Sequence, residues 1–410
     1  MIRVYLLVYG CLALLHLVVQ VALAHAEHRK QRKFVHPGPE WTPPVSVIVP
    51  VYNEDLDVLH ACLRSIDAVD YPRLEAIVVD DRSTNRTELL DVMEEFVGGK
   101  FRVVLQPKNR GKRLSQRAVL DEARGEIIVT IDSDTTITRD GIRKLVGHFI
   151  DPEIGAVTGD VRVRNKKANL LSRLISYRYW SAFHQERAAQ SLFRTVMCCS
   201  GPFSAYRRSA IDAVKDDYVT QMFLGQECTF GDDRHMTNLM LRAGHKVVFD
   251  AEAVSHTEVP TTLRQYVRQQ VRWNKSLYRE MVWSLRHIRR PHPYLLADLL
   301  LQAALPFMLI VALGLTAWQA TQGTEVLARY LAVLMGIAFL RAAYGVYRTR
   351  DSGFLLFVVY GFLHVFVLIP VRLWALATIR RTHWGTRGVV SAAESEDSLP
   401  STGTSAVVMV

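Results

Sequence analysis

At 410 residues, 49% of them hydrophobic, the chain has room for two or three domains, with its apolar residues gathered toward the two ends. Five cysteines, with no CxxC pair and no histidine at ligand spacing, argue against both a disulfide framework and a zinc site. The formal charge of +10 does not call for a nucleic-acid partner, because no nucleic-acid module is present and the basic clusters flank hydrophobic runs.

Val4–Ala24 supplies 21 largely apolar residues, close to the ~20 that a helix needs to cross a bilayer. Ala24-His25-Ala26 resembles a signal-peptidase site, which would make the run a cleavable leader. Only Arg3 precedes the run, however, and "HRKQRK" (His28–Lys33) follows it, so an uncleaved anchor with a cytoplasmic C-terminal flank is expected over 1–34. A stiff proline-rich linker, 35–44, comes next.

The segment 45–259 reads as a globular α/β domain. "VSVIVPVYNE" (Val45–Glu54), "LEAIVVDDRS" (Leu74–Ser83), "KFRVVLQ" (Lys100–Gln106) and "GEIIVTIDSDT" (Gly125–Thr135) are apolar runs, three of them ending in acids, as buried parallel strands do. Helical stretches such as Asp55–Val69 and Leu114–Ala123 separate them, so a Rossmann-like parallel sheet covered on both faces is expected. Ligands of such sheets bind beyond the carboxyl ends of the strands, where Asn53-Glu54, Asp80-Asp81 and Asp132-Ser133-Asp134 stand. Aspartates there can be solvated strand ends or helix caps. Two carboxylates one residue apart also suit a hard divalent cation shared with a diphosphate. No G-x-G-x-x-G and no P-loop follows the first strand, so a nucleotide diphosphate held through a metal is the remaining reading.

"CCSGPFSAYRR" (Cys198–Arg208) is expected to form a tight turn at Ser200-Gly201-Pro202, with Gly201 allowing close approach of a sugar and Cys198 and Cys199 packing at the end of a strand. Over 260–290, apolar Leu277, Tyr278, Met281, Val282, Leu285 and Ile288 share one face of a helix whose other face is rich in arginine, the pattern of an interfacial helix. Within 291–380, Leu295–Ala320, Val326–Tyr347 and Gly353–Thr378 are apolar. The second contains Arg329 and Arg341 and is the weakest candidate for lipid exposure. A loop at 381–390 and a disordered tail at 391–410 close the sequence.

Several motifs then fall in order. "PVYNE", "VVDDRS" and "DSD" resemble the nucleotide-binding half of a family-2 glycosyltransferase with the GT-A fold. "GDDR" (Gly231–Arg234) and "QQVRW" (Gln269–Trp273) are similar to the D,D,D and QxxRW pattern of its processive members. With "CCSGPFSAYRR", "GDDRHMTN", "QQVRWNKSLYRE" and "WGTR" (Trp384–Arg387) added, the chain most resembles the hyaluronan synthases, relatives of chitin and cellulose synthases.

The resemblance implies that Tyr52, Glu54, Asp81 and Lys112 surround the uridine and that Asp132 and Asp134 hold the nucleotide and its Mg²⁺ or Mn²⁺. It implies Asp233 as general base with Asp232 beside it, Arg272 on the pyrophosphate, Gln269 and Trp273 with Ser200 and Gly201 at the acceptor, and Trp384 and Arg387 in a closing loop. The implied partners are UDP-GlcNAc, UDP-GlcA, the growing polysaccharide and membrane lipid. The implied setting is a multi-pass plasma-membrane enzyme with a cytoplasmic catalytic domain. Arg207, Arg208 and Lys275 are candidates to meet a uronate carboxylate. A chitin or chitooligosaccharide synthase shares almost every motif, and a nucleotide-binding pseudoenzyme is the alternative of another class.

Overall fold

The computed structural model describes residues 2–289, 291–321 and 325–381. They form two compact units. One comprises Phe34–Arg164 and Met197–Glu258; the other comprises the N-terminal 33 residues, Asn165–Val196 and Val259–Thr378.

The first unit is built on ten strands: β1 Val45–Val51, β2 Leu74–Asp80, β3 Phe101–Leu105, β4 Ile127–Thr130, β5 Thr136–Ile137, β6 Ile154–Val163, β7 Ser204–Arg207, β8 Met222–Phe223, β9 Gln226–Glu227 and β10 Lys246–Thr257. Eight of them make one sheet in the order β3-β2-β1-β4-β7-β6-β10-β5, and β8 and β9 form a separate hairpin. β1 is buried at every position because sheet neighbours and helices cover it on all sides, which is why its sequence runs apolar without alternation. Val47, Val49, Leu59, Leu63, Ile66, Val129, Leu145 and Phe203 are among the residues of the resulting core. Each fully buried aliphatic contributes roughly 1.5–3 kcal/mol.

The expected parallel order holds for β3, β2, β1 and β4. It fails at β7, which runs antiparallel between β4 and β6, and at β5, which pairs antiparallel with β10. The sheet is therefore mixed. β7 follows a loop rather than a strand, so Cys198 and Cys199 lie in that loop and not at a strand end.

The second unit is helical. Among the described residues, three helical segments are long and apolar enough to cross a membrane: Val4–Gln31, Pro293–Gln319 and Ser352–Ala377. The helix Glu325–Thr349 does not join them. The last of the three is composite, a 3₁₀ turn, an α-helix, a π-turn at His364–Leu368 and a final helix that starts with Pro370 inside its first turn. The helix Leu263–His287 is continuous, capped by Thr262, but its buried face is not the apolar stripe. Asn274, Lys275, Arg279, Glu280 and Ser284 are buried beside Tyr278, while Leu285 is 47% exposed.

Candidate active site

Strands β1, β2 and β4 end side by side, and the chain turns sharply after two of them. Asn53 after β1 and Arg82 after β2 take φ of +49° and +58°, a left-handed conformation that non-glycine residues adopt at a cost. The Asn53 carboxamide oxygen accepts the Thr84 N–H at 2.7 Å and so ties the two turns together. Tyr52, half-buried, and Glu54 stand on the first turn, and Glu54 accepts the Ser133 hydroxyl at 2.6 Å.

Asp80 and Asp81 divide their tasks. Asp80 accepts Arg86 Nε at 2.5 Å and the Ser83 N–H at 3.1 Å, a local brace. Asp81 accepts the backbone N–H groups of Arg110 and Gly111 at 2.8 and 2.7 Å. Burial raises the Asp81 carboxyl above the ordinary aspartate range, against the pull of those N–H donors. Gly111, with φ +84°, delivers Lys112 as the first residue of the helix Lys112–Leu120.

Lys112 is the centre of the site. Its ammonium lies 2.5 Å from Asp132 Oδ1 and 3.7 Å from Asp233 Oδ1. Burial pulls its pKa down, but Asp132 and Asp233 outweigh that and hold it protonated.

Asp233 is the second residue of the helix Asp232–Arg242, which opens after Gly231. Its Oδ2 accepts the Gly201 N–H at 2.9 Å. A Cβ on Gly201 would lie 2.7 Å from Lys112 Nζ and 2.8 and 2.9 Å from the Asp233 oxygens. Gly201 thus admits the charged side chains of its own protein. The loop is registered on the same helix by Thr237, which accepts the Cys199 N–H at 2.8 Å and donates to the Asp233 carbonyl at 2.6 Å. Ser200 N–H donates to Thr158 Oγ1 at 3.1 Å. Enclosure raises the Asp233 carboxyl, Lys112 opposes that, and Asp132 and Asp232 add to it; the net direction is up.

Asp232 points the other way, into a buried ion pair with Arg113 at 2.7 Å. Arg113 also donates to Gln221 at 3.1 Å and lies over the Tyr218 ring. Sequence reading missed Arg113, Gln221, Tyr218, Thr158 and Thr237. The only trace of them was a lysine-arginine pair opening a helix, where cations oppose the helix dipole.

Asp134 accepts the Thr135 and Thr257 hydroxyls at 3.1 and 3.3 Å. Among the described residues no group of three or more His, Cys, Asp or Glu side chains gathers as a metal cage. Asp132 and Asp134 offer hard carboxylate oxygens, which fit Mg²⁺ or Mn²⁺ where a diphosphate completes the ligand set.

Gln269, Arg272 and Trp273 share the helix Leu263–His287 of the other unit, at spacing that puts Gln269 and Trp273 on one face. Trp273 is 42% exposed and its ring packs 6.2 Å from Tyr179. Gln269 Oε1 is enclosed without a hydrogen-bond partner among the described residues. Trp384 and Arg387 lie outside the described residues. Arg207 is engaged by backbone carbonyls of Ile154, Phe149 and Asp151 at 2.9–3.0 Å, and Arg208 by Ala123 and Asp212.

The mixed sheet with acids at its carboxyl edge has the GT-A fold of glycosyltransferases. A mannosyltransferase from Pyrobaculum calidifontis, solved with GDP-Man and Mn²⁺, shares this fold with a TM-score of 0.63 at 23% identity, over 91% of this chain and 99% of that one. Residues 46–215 match the model of glycosyl transferase family 2. The chain is 38% identical over 353 residues to an N-acetylglucosaminyltransferase of Sinorhizobium fredii, covering 86% of each. It is 36% identical over 392 residues to the hyaluronan synthase of Streptococcus pyogenes, covering 94% of this chain and 91% of that protein. The protein belongs to the family-2 glycosyltransferases.

Proposed function

We propose that the protein is a membrane-embedded inverting transferase that moves N-acetylglucosamine from UDP-GlcNAc onto the terminal hydroxyl of a growing β-linked chain. The observation that carries the chemistry is Asp233, held by the Gly201 N–H at 2.9 Å and facing Lys112. Asp233 accepts the proton of the acceptor hydroxyl as its oxygen forms the bond to the anomeric carbon, and the diphosphate leaves with the electrons of the broken bond. The raised Asp233 carboxyl makes it a better proton acceptor than an ordinary aspartate, provided it is ionised. Lys112 keeps it ionised and offers positive charge beside the departing diphosphate. A divalent cation on Asp132 and Asp134 would neutralise the rest of that charge. The sugar is supported by identity to rhizobial N-acetylglucosaminyltransferases. The roles of Gln269, Arg272 and Trp273 rest on the QxxRW motif.

Three membrane-capable helical segments and their basic flanks support a membrane location with the catalytic unit on the cytoplasmic side. A second reading, hyaluronan synthesis from UDP-GlcNAc and UDP-GlcA, is supported by the length of the streptococcal match, 94% of this chain. The protein purified in detergent and supplied with UDP-GlcNAc, with and without UDP-GlcA, separates the two. Chitinase-sensitive product from UDP-GlcNAc alone supports the first. A long polymer that requires both donors and is digested by hyaluronidase replaces it with the second. UDP release from neither mixture refutes both.

A further inference from the structure

Two adjacent cations at the start of one helix meet two adjacent acids at the start of another. Lys112 and Arg113 open the helix Lys112–Leu120, and Asp232 and Asp233 open the helix Asp232–Arg242. The acids suit their place, since a helix N-terminus favours negative charge; the cations do not. A local preference set aside in this way is expected where a tertiary contact dictates the residue.

The two pairs differ in burial. Arg113 and Asp232 are 5% and 4% exposed and their side chains meet at 2.7 Å. The Arg113 fork is held further by Gln221 at 3.1 Å and by the Tyr218 ring, whose centroid lies 5.2 Å away. Tyr218 returns to the same helix by donating to Gln116 at 3.0 Å. The Lys112–Asp233 pair is looser, at 3.7 Å, with 36% of the Asp233 side chain open. The inner pair is locked on several sides; the outer pair is free to exchange partners.

We propose that Arg113 is a positioning residue of the transfer reaction. By clamping Asp232 it sets the first turn of one helix against the first turn of the other, and so fixes Asp233 relative to Lys112 and Gly201. The inference rests on Asp233 being the base. A displacement of about 1 Å in such a group can lower a rate by about 10²-fold, so the clamp matters even though Arg113 touches no substrate.

The test uses the full-length protein in detergent, with UDP release from UDP-GlcNAc as the rate and UDP binding by calorimetry. Arg113→Met is expected to lower kcat by about 10–100-fold while KM for UDP-GlcNAc and Kd for UDP move by less than about 3-fold. Arg113→Lys, which keeps a charge on Asp232, is expected to recover most of the loss. Asp233→Asn combined with Arg113→Met is expected to be no slower than Asp233→Asn alone, because Arg113 acts through Asp233. Should Arg113→Met fail to fold, judged by loss of UDP binding, Asp232→Asn, which removes the charge that Arg113 clamps, carries the same cycle. A kcat near wild type overturns the proposal, as does a double variant in which the two losses multiply. An Asp233→Asn protein that keeps its activity removes the base assignment itself, whatever Arg113 does.

Discussion

Asp233 in the sheet unit is a partly open carboxylate and Asp298 in the helical unit an enclosed one, and they are held in opposite ways. Asp298 is 1% exposed on a membrane-capable helix and accepts from four nitrogens: His16 at 3.0 Å and Gln20 at 3.2 Å on one oxygen, Gln190 at 2.8 Å and Gln302 at 2.9 Å on the other. Every lone pair is used, and the residue ties the first helix, the short helix Ala188–Leu192 and the helix Pro293–Ala320 into one body. Asp233 accepts one backbone N–H and faces one lysine. A fully satisfied buried carboxylate stabilises a fold, whereas one left partly unsatisfied beside a cation keeps the capacity to accept a proton.

The sharpest way to break this contrast is to neutralise Asp233. Asp233→Asn should reduce kcat by about 10²–10⁴-fold with UDP affinity little changed, since the proposed role of the residue is on the acceptor. Parallel collapse of UDP binding in calorimetry would place it on the donor side instead. The matching change in the other unit is Asp298→Ala, which strands four donors, those of Gln20 and Gln190 buried, and should cost at least about 3 kcal/mol, read as a lowered thermal midpoint in detergent. Asp298→Asn should be much milder, because the glutamine amides can turn to accept. Equal damage from both variants would mean that Asp298 is needed for its charge rather than for assembly.

Gly201→Ala probes the space between the two charges. The added methyl would sit within 3 Å of Lys112 and Asp233, so it should lower kcat by about 10-fold or more through misplacement. A thermal midpoint near wild type is expected, because Lys112 and the open Asp233 side chain can move aside. The smallest effect concerns pH. As the proposed base, Asp233 must be ionised, and its carboxyl is raised, so activity should fall, as pH drops, at values above the ordinary aspartate range. Lys112 opposes that rise, so Lys112→Met should move the acid limb of the kcat profile to higher pH. An unmoved limb would show that another group controls it.

Much of the sheet unit was legible in one dimension. The runs before Asn53, Asp81 and Asp132 are continuous and apolar because a strand covered on both faces needs no alternation, and that signal lies inside a window of ten residues. The antiparallel place of β7 was not legible, because "SAYR" carries no mark of which strands will flank it. Nor was the buried face of the helix Leu263–His287, where apolar spacing pointed to one stripe and the fold enclosed Lys275, Arg279 and Glu280. Asp298 stood inside an apolar run with nothing nearby to say that His16 and Gln20, 282 and 278 residues away, would meet it.

By itself, then, the amino-acid sequence determined the strand and helix segments, the membrane-capable runs and the acids at the strand ends, since hydrophobic period and turn chemistry act between near neighbours. Only the tertiary structure decided that Lys112 serves Asp132 and Asp233, that Arg113 takes Asp232 from 119 residues away, and that Gly201 is small for their sake. Ion pairs and close contacts depend on distances of a few ångströms between residues far apart in the chain, and those distances exist only after the sheet has brought its strand ends together.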